Sequence, residues 1–153
     1  MGKKFLTSAI NGGRKMKKAV VYASTTGNTE AMANAVAEGV KTSGAEVLLA
    51  TADSADSAAV LACDVIFLGS PAMGDEVLED SMEDFYSKIE GSLNGKKVAI
   101  FGSYDWGDGQ WLRDWADRIK AAGATVLNGE GLKINLTPDD DGLAECRKLG
   151  ESV

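Results

Sequence analysis

The chain has 153 residues, of which 44% are hydrophobic and 25% are charged, a composition typical of one ordinary globular domain. Its 16 Lys and Arg residues are outnumbered by 23 Asp and Glu residues, so the formal net charge is −7. The sequence has no histidine, which excludes a Ser-His-Asp triad and removes the commonest metal ligand. No apolar run approaches the ~20 residues that a membrane-spanning helix needs.

The first 16 residues differ in composition from the rest of the chain. They contain four basic residues and no acidic residue, and their apolar residues are too few and too scattered for a signal peptide. We expect residues 1–16 to be a disordered basic extension or the product of an upstream start site, and residues 17–153 to form one domain. From residue 17 onward, 12 basic and 23 acidic residues give a net charge of −11. This charge disfavours nucleic acid and anionic membranes and favours basic protein partners.

Apolar runs typical of strands alternate along the chain with segments whose apolar residues recur at helical spacing. The predicted strands, in chain order, are 18–22, 46–51, 65–68, 98–101 and 125–127, the last resuming at 132–134. The predicted helices have apolar faces formed by Met32, Ala35, Val36, Gly39 and Val40; by Leu78, Met82, Phe85 and Ile89; by Trp111, Trp115, Ile119 and Ala122; and, in a short final helix, by Leu143, Cys146 and Leu149. This alternation predicts a doubly wound α/β domain with a parallel sheet covered on both faces.

Three loops stand out, because ligands of such sheets bind beyond the carboxyl ends of the strands, near the point where the strand order reverses. The loops after the first, third and fourth predicted strands read ASTTGNT, GSPAMGDE and GSYDWGDG. They are rich in small, polar and aromatic residues, whereas a simple connection would need only a few polar ones. The pattern therefore predicts one binding site formed by all three loops.

The first loop has the composition of a phosphate-binding turn. It precedes a helix, so backbone N–H groups and the helix dipole favour an anion there. Gly27 permits a tight turn, and side-chain donors come from Ser24, Thr25, Thr26, Asn28 and Thr29. A helix cap alone needs fewer such residues, so we predict that the loop binds a phosphate without a Lys or Arg. It has neither the Gly-Lys of a P-loop nor a G-x-G-x-x-G pattern.

The other two loops contain residues that can bind a flat ring. Tyr104 and Trp106 lie two positions apart, so both point the same way if the segment is extended, and we expect Trp106 to stack on a ligand. Met73 can cover the other face of a ring, although alone it would be interpreted as a core residue. The peptide at Gly74 can rotate at little steric cost and thus present either its C=O or its N–H to a ligand.

The segments STTGNTEAMA, PAMGDEVLED and FGSYDWGDGQW resemble the three cofactor-binding loops of flavodoxins, specifically the short-chain type known from anaerobic bacteria. The resemblance runs from residue 17 to about residue 150, and three motifs in the right order and spacing make it specific. It implies a three-layer sandwich whose five-stranded parallel sheet has the order 2-1-3-4-5. It also implies non-covalently bound FMN and low-potential transport of single electrons between redox proteins.

The resemblance further implies a role for each loop. Residues 24–29 would hold the FMN phosphate, with Ser103 reaching back toward it. Met73 would cover the inner face of the isoalloxazine ring and Trp106 the outer face. Glu76 would accept a hydrogen bond from flavin N3, and the peptide between residues 73 and 74 would rotate on reduction, so that its carbonyl accepts from N5. The other cofactor-binding residues implied are Pro71, Ala72, Gly74, Asp75, Tyr104, Asp105 and Gly107, the backbone of 104–107 serving the pyrimidine edge. Asp105 stands where close relatives usually have glycine.

We expect no cation near these loops, so that the acids around them, Asp75, Glu76, Asp105 and Asp108, disfavour addition of the second electron to the flavin. They would also orient basic surfaces of redox partners, such as a reductase or ferredoxin-linked enzymes. We expect a cytoplasmic monomer that has no substrate of its own, binds neither nucleic acid nor membrane, and keeps Cys63 and Cys146 as reduced, structural thiols.

Two alternatives remain open from the sequence. An FMN-dependent NAD(P)H:quinone or FMN reductase would use the same fold, but such enzymes usually have longer loops or an insertion. A non-redox phosphate-binding or signalling module is the other alternative. A receiver domain would need an aspartate where Gly69 and Ser70 end the third strand, and a low-molecular-weight phosphatase would need Cys and Arg in the first loop.

Overall fold

A computed structural model of the chain describes residues 10–11 and 14–153. Two short strands, Ile10–Asn11 and Arg14–Lys15, pair antiparallel before the main domain begins. The expectation of a disordered extension concerns residues 1–16, of which 1–9 and 12–13 lie outside the described residues. It therefore stays a prediction.

A parallel sheet of six strands forms the centre of the domain. Its strands are β1 (Lys17–Tyr22), β2 (Glu46–Thr51), β3 (Val65–Gly69), β4 (Lys97–Tyr104), β5 (Thr125–Val126) and β6 (Leu132–Asn135). The order is β2-β1-β3-β4-β5, with β6 also paired to β4. The predicted order 2-1-3-4-5 is confirmed, and the strand order reverses beside β1, where β2 lies on one side and β3 on the other.

The fifth position of the sheet is shared by two strands, as the predicted resumption at 132–134 requires. β5 pairs with the start of β4, and β6 pairs with its end from Phe101 to Tyr104. Between them the Asn128 side chain bridges the gap: its Nδ2 donates to the Ile100 carbonyl at 2.8 Å, and its Oδ1 accepts from the Ile100 N–H at 3.1 Å. The Asn128 amide thus takes the place of the backbone N–H and C=O groups that a continuous fifth strand would pair with Ile100.

Helices cover both faces of the sheet and complete a three-layer sandwich. They are α1 (Asn28–Thr42), α2 (Ser57–Leu61), α3 (Asp80–Ile89), followed by a 3₁₀ turn (Glu90–Ser92), α4 (Gln110–Ala121) and α5 (Asp140–Ser152). The five-residue helix α2 was not predicted, because it buries only Val60 and so shows no periodicity. Helix α5 has 13 residues, so the expectation of a short final helix is wrong. Among the described residues, no helix is long and apolar enough to cross a membrane.

Each face of the sheet has its own hydrophobic core. On one face α1 and α5 pack over Val20, Phe67 and Phe101, and Cys146 is fully buried there. On the other face α3 and α4 pack over the sheet, and the side chains of Trp111 and Trp115 are 1% exposed, which confirms their assignment to the core. Cys63 and Cys146 are both free and buried, and burial raises the pKa of the Cys146 thiol to about 12.

Helices α1 and α5 approach each other closely at two glycines. A Cβ atom at Gly39 would lie 2.0 Å from the Arg147 carbonyl oxygen, and one at Gly150 would lie 2.1 Å from the Val36 carbonyl oxygen. Both obstacles are backbone atoms, which cannot move aside as the end of a flexible side chain could. The helix pair therefore depends on the absence of side chains at these positions.

We expect Gly39→Ala to lower the free energy of unfolding by about 1–3 kcal/mol, because overpacking at the helix contact outweighs the gain of about 1 kcal/mol in helix propensity. Chemical denaturation measures the change. Gly91→Ala is the control, since a Cβ there meets nothing within 4 Å, and its effect should stay within about 0.5 kcal/mol. Equal effects of the two substitutions would contradict the close-contact explanation.

Candidate functional site

The three predicted loops meet at the carboxyl ends of β1, β3 and β4, where they line two adjoining cavities. The smaller, of about 140 Å³, is lined by Thr25, Thr26, Asn28, Pro71, Ala72, Ser103, Tyr104, Asp105 and Leu136. The larger, of about 220 Å³, is lined by Ala72, Met73, Gly74, Glu76, Asp105 and Trp106. Ala72 and Asp105 line both cavities, so the two form one continuous site. Of the described residues, no Lys or Arg lines either cavity.

The first loop turns into α1 through Gly27, whose φ of +94° lies in the left-handed region that favours glycine. Ser24 Oγ accepts from the N–H groups of Gly27 (3.1 Å) and Glu30 (3.3 Å), so this hydroxyl braces the loop from within. The N–H groups of Thr26, Asn28 and Thr29 donate to no acceptor in the described part of the chain. Unpaired donors at a helix N-terminus, beside the cavity that Thr26 and Asn28 line, suit the oxygens of a phosphate.

A buried pair of hydroxyls joins the first loop to the end of β4. Thr29 Oγ1 and Ser103 Oγ lie 2.8 Å apart, and both residues are buried. The Ser103 N–H also donates to Thr29 Oγ1 at 3.4 Å. Ser103 lines the smaller cavity, as expected, but its hydroxyl is held by Thr29. The pair therefore fixes the distance between the first and third loops.

The second loop is a tight reversal closed by two hydrogen bonds between Met73 and Val77. The Met73 N–H donates to the Val77 carbonyl at 2.9 Å, and the Val77 N–H donates to the Met73 carbonyl at 3.2 Å. Within the reversal, Gly74 has a φ of +23° with open space around it, and Glu76 has a φ of +56°. A non-glycine residue in this region stores strain of about 1–3 kcal/mol, so contacts elsewhere must hold Glu76 in place.

One such contact joins the second loop to helix α4. Helix α4 begins after Gly109, which offers no side-chain cap, and Glu76 Oε1 instead accepts from the Gln110 N–H at 2.9 Å. A Cβ atom at Gly107 would lie 2.6 Å from Glu76 Oε2, and Gly107 has a φ of +89°, in the left-handed region that favours glycine. The Glu76 carboxylate thus caps α4 with one oxygen while its side chain lines the larger cavity.

The third loop does not continue the extended strand, so the condition under which Tyr104 and Trp106 would point the same way is not met. β4 ends at Tyr104, whose ring centroid lies 5.7 Å from that of Trp111, and the chain then bends. Tyr104 lines the smaller cavity, whereas Trp106 is 61% exposed and lines the larger one. Among the described residues, Glu76 and Leu136 are the non-glycine residues with positive φ. The backbone at Asp105 therefore does not need glycine.

A fourth segment, residues 133–136 at the end of β6, was missed by the sequence analysis. Asn135 Nδ2 donates to the carbonyls of Tyr104 and Asp105, both at 3.1 Å, and the Leu136 N–H donates to the Tyr104 carbonyl at 2.8 Å. Leu136 also lines the smaller cavity. A signal was present: the resumed strand at 132–134 ends at the same edge of the sheet as the three loops.

The expectation that no cation lies near the loops is wrong for the third loop. Arg113 Nη2 pairs with Asp108 Oδ1 at 2.8 Å, and this hydrogen bond lowers the pKa of the Asp108 carboxyl below its ordinary value. Lys133 Nζ donates to the Asp108 carbonyl at 2.7 Å. Two positive charges therefore stand behind a loop that is acidic in sequence.

These features define a class of protein: a doubly wound α/β domain that binds a phosphorylated, flat aromatic ligand at its switch point. The phosphate would bind at the N-terminus of α1, and the ring between Met73 and Trp106.

Comparisons with known proteins give the family. The profile of the family described as Flavodoxin matches residues 20–150. The flavodoxin of Megasphaera elsdenii is 46% identical over 135 residues, which are 88% of this chain and 96% of that protein. The flavodoxin of Clostridium beijerinckii is 41% identical over 135 residues, with the same shares covered. A solved flavodoxin from the domain Archaea superposes with a TM-score of 0.82 at 31% identity, covering 89% of this chain and 94% of that one.

The chain therefore belongs to the flavodoxin family, and it is of the short-chain type. It binds FMN and carries electrons with it, as members of this family do. The expectations of flavodoxin-like fold, cofactor and electron transport are confirmed.

We expect Glu76→Ala to lower the free energy of unfolding of the FMN-free protein by about 1 kcal/mol, because helix α4 loses its cap. Glu76→Gln is the matched control, since its amide oxygen can still accept from the Gln110 N–H, and it should retain most of the stability. Thermal or urea denaturation of the three proteins checks this. Equal losses in both variants would mean that the charge of Glu76, and not the cap, stabilises the fold.

Proposed function

We propose that this protein is a low-potential carrier of single electrons whose FMN lies in the two adjoining cavities. The observation that supports this is the set of groups at each end of the site. At one end the hydroxyl and amide groups of Thr25, Thr26 and Asn28 line the smaller cavity, beside three unpaired backbone N–H groups. At the other end Met73 and an exposed Trp106 line the larger cavity, together with the carboxylates of Glu76 and Asp105. FMN supplies the redox chemistry when bound, and the protein provides binding, orientation and electrostatics.

The phosphate end of FMN is held by residues 24–29 without a full positive charge. Thr25, Thr26 and Asn28 line the smaller cavity, and the α1 dipole adds partial positive charge at its N-terminus. Ser24 has a structural role in this loop. Its hydroxyl accepts from the N–H groups of Gly27 and Glu30 and so stabilises the conformation of the turn that binds the phosphate. A dianion is thereby bound by dipoles that add no cation near the ring.

The ring of FMN lies between Met73 on the inner side and Trp106 on the outer side. Trp106 is 61% exposed, and stacking would remove much of that apolar surface from water. Glu76 Oε1 caps helix α4, which leaves Oε2 to accept from the ring N–H at position 3. The backbone of residues 104–107 contacts the pyrimidine edge.

The peptide between Met73 and Gly74 changes its orientation with the redox state. In this structure its carbonyl accepts from the Val77 N–H at 3.2 Å, so rotation toward the ring breaks that hydrogen bond. Turned toward the ring, the Met73 carbonyl would accept a hydrogen bond from N5–H of bound FMN. Because a Cβ at Gly74 would meet nothing within 4 Å, the space around the peptide permits the rotation.

Redox partners with basic surfaces dock at the mouth of the two cavities, and the protein has no substrate of its own. Trp106 and Leu136, which line the cavities, and Val77 in the second loop are exposed apolar side chains, and Asp75 and Asp105 add negative charge. The three loops are short, which supports a carrier over an NAD(P)H-dependent reductase. We also propose that residues 17–153 act as a monomeric cytoplasmic domain.

Stepwise anaerobic reduction of the purified protein, followed by absorbance, tests the proposal. We expect a yellow protein with FMN bound in a 1:1 ratio that takes up two electrons in separate steps, the second at low potential. A single two-electron step would contradict the proposed carrier role. In a parallel assay with NADH and a quinone we expect negligible steady turnover, and rapid turnover would favour the reductase.

Replacing Gly74 with Val tests the rotating peptide. We expect the ratio of the equilibrium constants of the two one-electron steps to fall at least tenfold, while the affinity for oxidised FMN changes less than threefold. The reason is that a β-branched residue restricts the backbone dihedral angles that must change when the peptide rotates. Redox titration and FMN-binding fluorescence measure the two quantities. Gly95→Val is the control, since Gly95 has a φ of +81° and open space in a turn away from the site. It should lower stability and leave the redox steps unchanged.

A further inference from the structure

We propose that Lys133 tunes the redox equilibrium of bound FMN, by holding a positive charge against the third loop. This inference rests on FMN lying against residues 104–107, as proposed above, and it assigns a positioning and electrostatic role to a residue outside the three cofactor loops.

The first observation is the contact itself. Lys133 Nζ donates to the Asp108 carbonyl oxygen at 2.7 Å and lies 6.0 Å from the centroid of the Tyr104 ring. Both contacts are to the loop that forms one wall of the site. The ammonium group is thus fixed at the loop, although the residue as a whole is exposed.

The second observation is that Lys133 forms no ion pair in the described part of the chain. The Asp108 carboxylate is paired with Arg113 at 2.8 Å. Lys133 donates to the backbone carbonyl of Asp108 and acts on the carboxylate only as a nearby positive charge, which lowers the pKa of that carboxyl further. Two cations therefore face one carboxylate, which leaves a net positive charge beside the third loop.

The third observation is how the sheet places the residue. In the register of β6 against β4, Lys133 lies opposite Gly102 and Asn135 opposite Tyr104. Residues 133 and 135 project from the same face of the strand, and both donate to carbonyls of the third loop, at Tyr104, Asp105 and Asp108. Asn135 therefore holds the same loop by hydrogen bonds, as Lys133 does, but it carries no charge.

The consequence is electrostatic. Each electron added to FMN adds negative charge at the site, and a nearby cation favours that addition. The positive charge of Lys133 thus favours the addition of electrons to FMN, whereas the carboxylates of Glu76 and Asp105 disfavour it. Lys133 lies on strand β6 and not within a cofactor loop. The reduction potential of FMN can therefore be changed at this position without altering the residues that hold FMN.

The test compares three variants of the FMN-loaded protein, each equilibrated with a low-potential reference dye at low ionic strength. Lys133→Met removes the charge and keeps an apolar stem, and we expect the equilibrium constant for adding the second electron to fall about threefold, as for one exposed charge near the site. Lys133→Arg should stay close to the wild type. Lys97→Met makes the same change in net charge at the start of β4, the opposite end of the sheet, and should have less effect.

Two further measurements separate charge from loop clamping. The effect of Lys133→Met should shrink toward zero at 1 M salt, where exposed charges are screened within about 3 Å. Asn135→Ala should weaken binding of FMN without a salt-dependent change in the redox equilibrium.

The outcomes are distinct. If Lys133→Met retains FMN and its redox equilibrium matches the wild type, the inference is overturned while the proposed function stands. A loss of affinity that is equal for oxidised and reduced FMN would show that Lys133 only clamps the loop, which also overturns it. A wild-type protein that fails to bind FMN would instead overturn the proposed function, and this inference with it.

Discussion

The carbonyl group of Ser70 is the junction on which the geometry of the site depends. Trp111 Nε1 of helix α4 donates to it at 3.0 Å, and a Cβ at Gly102 would lie 2.0 Å from its oxygen. The hydroxyl of the same residue accepts from the Glu79 N–H, which precedes helix α3. The ends of β3 and β4 and the starts of two helices are therefore locked at one buried point. Because the second and third loops leave from this junction, their separation, and so the width of the larger cavity, is fixed by it.

The charges around the site fall into two layers. The cavities themselves are lined by dipoles, hydroxyls and the carboxylates of Glu76 and Asp105, and their lining contains no cation among the described residues. Behind the third loop stand Arg113 and Lys133, held to Asp108. This separation allows an anionic group to bind through dipoles while cations outside the cavity wall moderate the acidity of the loops.

Most residues that line the two cavities could be predicted because their signals are local. Thr25, Thr26 and Asn28 lie in one loop at the end of a strand, and Met73 and Trp106 lie in loops at the ends of two others, so each loop could be interpreted from its own composition. Of the residues that were missed, Ser70, Lys133 and Asn135 act through contacts between segments distant along the chain. Arg113 pairs with Asp108, five positions earlier in the chain. All four are residue types that are ordinary in a turn, a helix or a strand, so composition alone did not mark them.

The sequence by itself determined the α/β alternation, the order of the strands through a family resemblance, and the three loops, because hydrophobic period and turn composition are properties of neighbouring residues. Only the tertiary structure decided how the loops are held and charged. The cap that Glu76 gives to helix α4, the bend that sends Tyr104 and Trp106 to different cavities, and the cation at Lys133 all arise from pairing β6 with β4 and from packing α4 against β3 and β4. The physical reason is that hydrogen bonds and charges act over distances in space, and residues 25 or more positions apart become neighbours only when the sheet has formed.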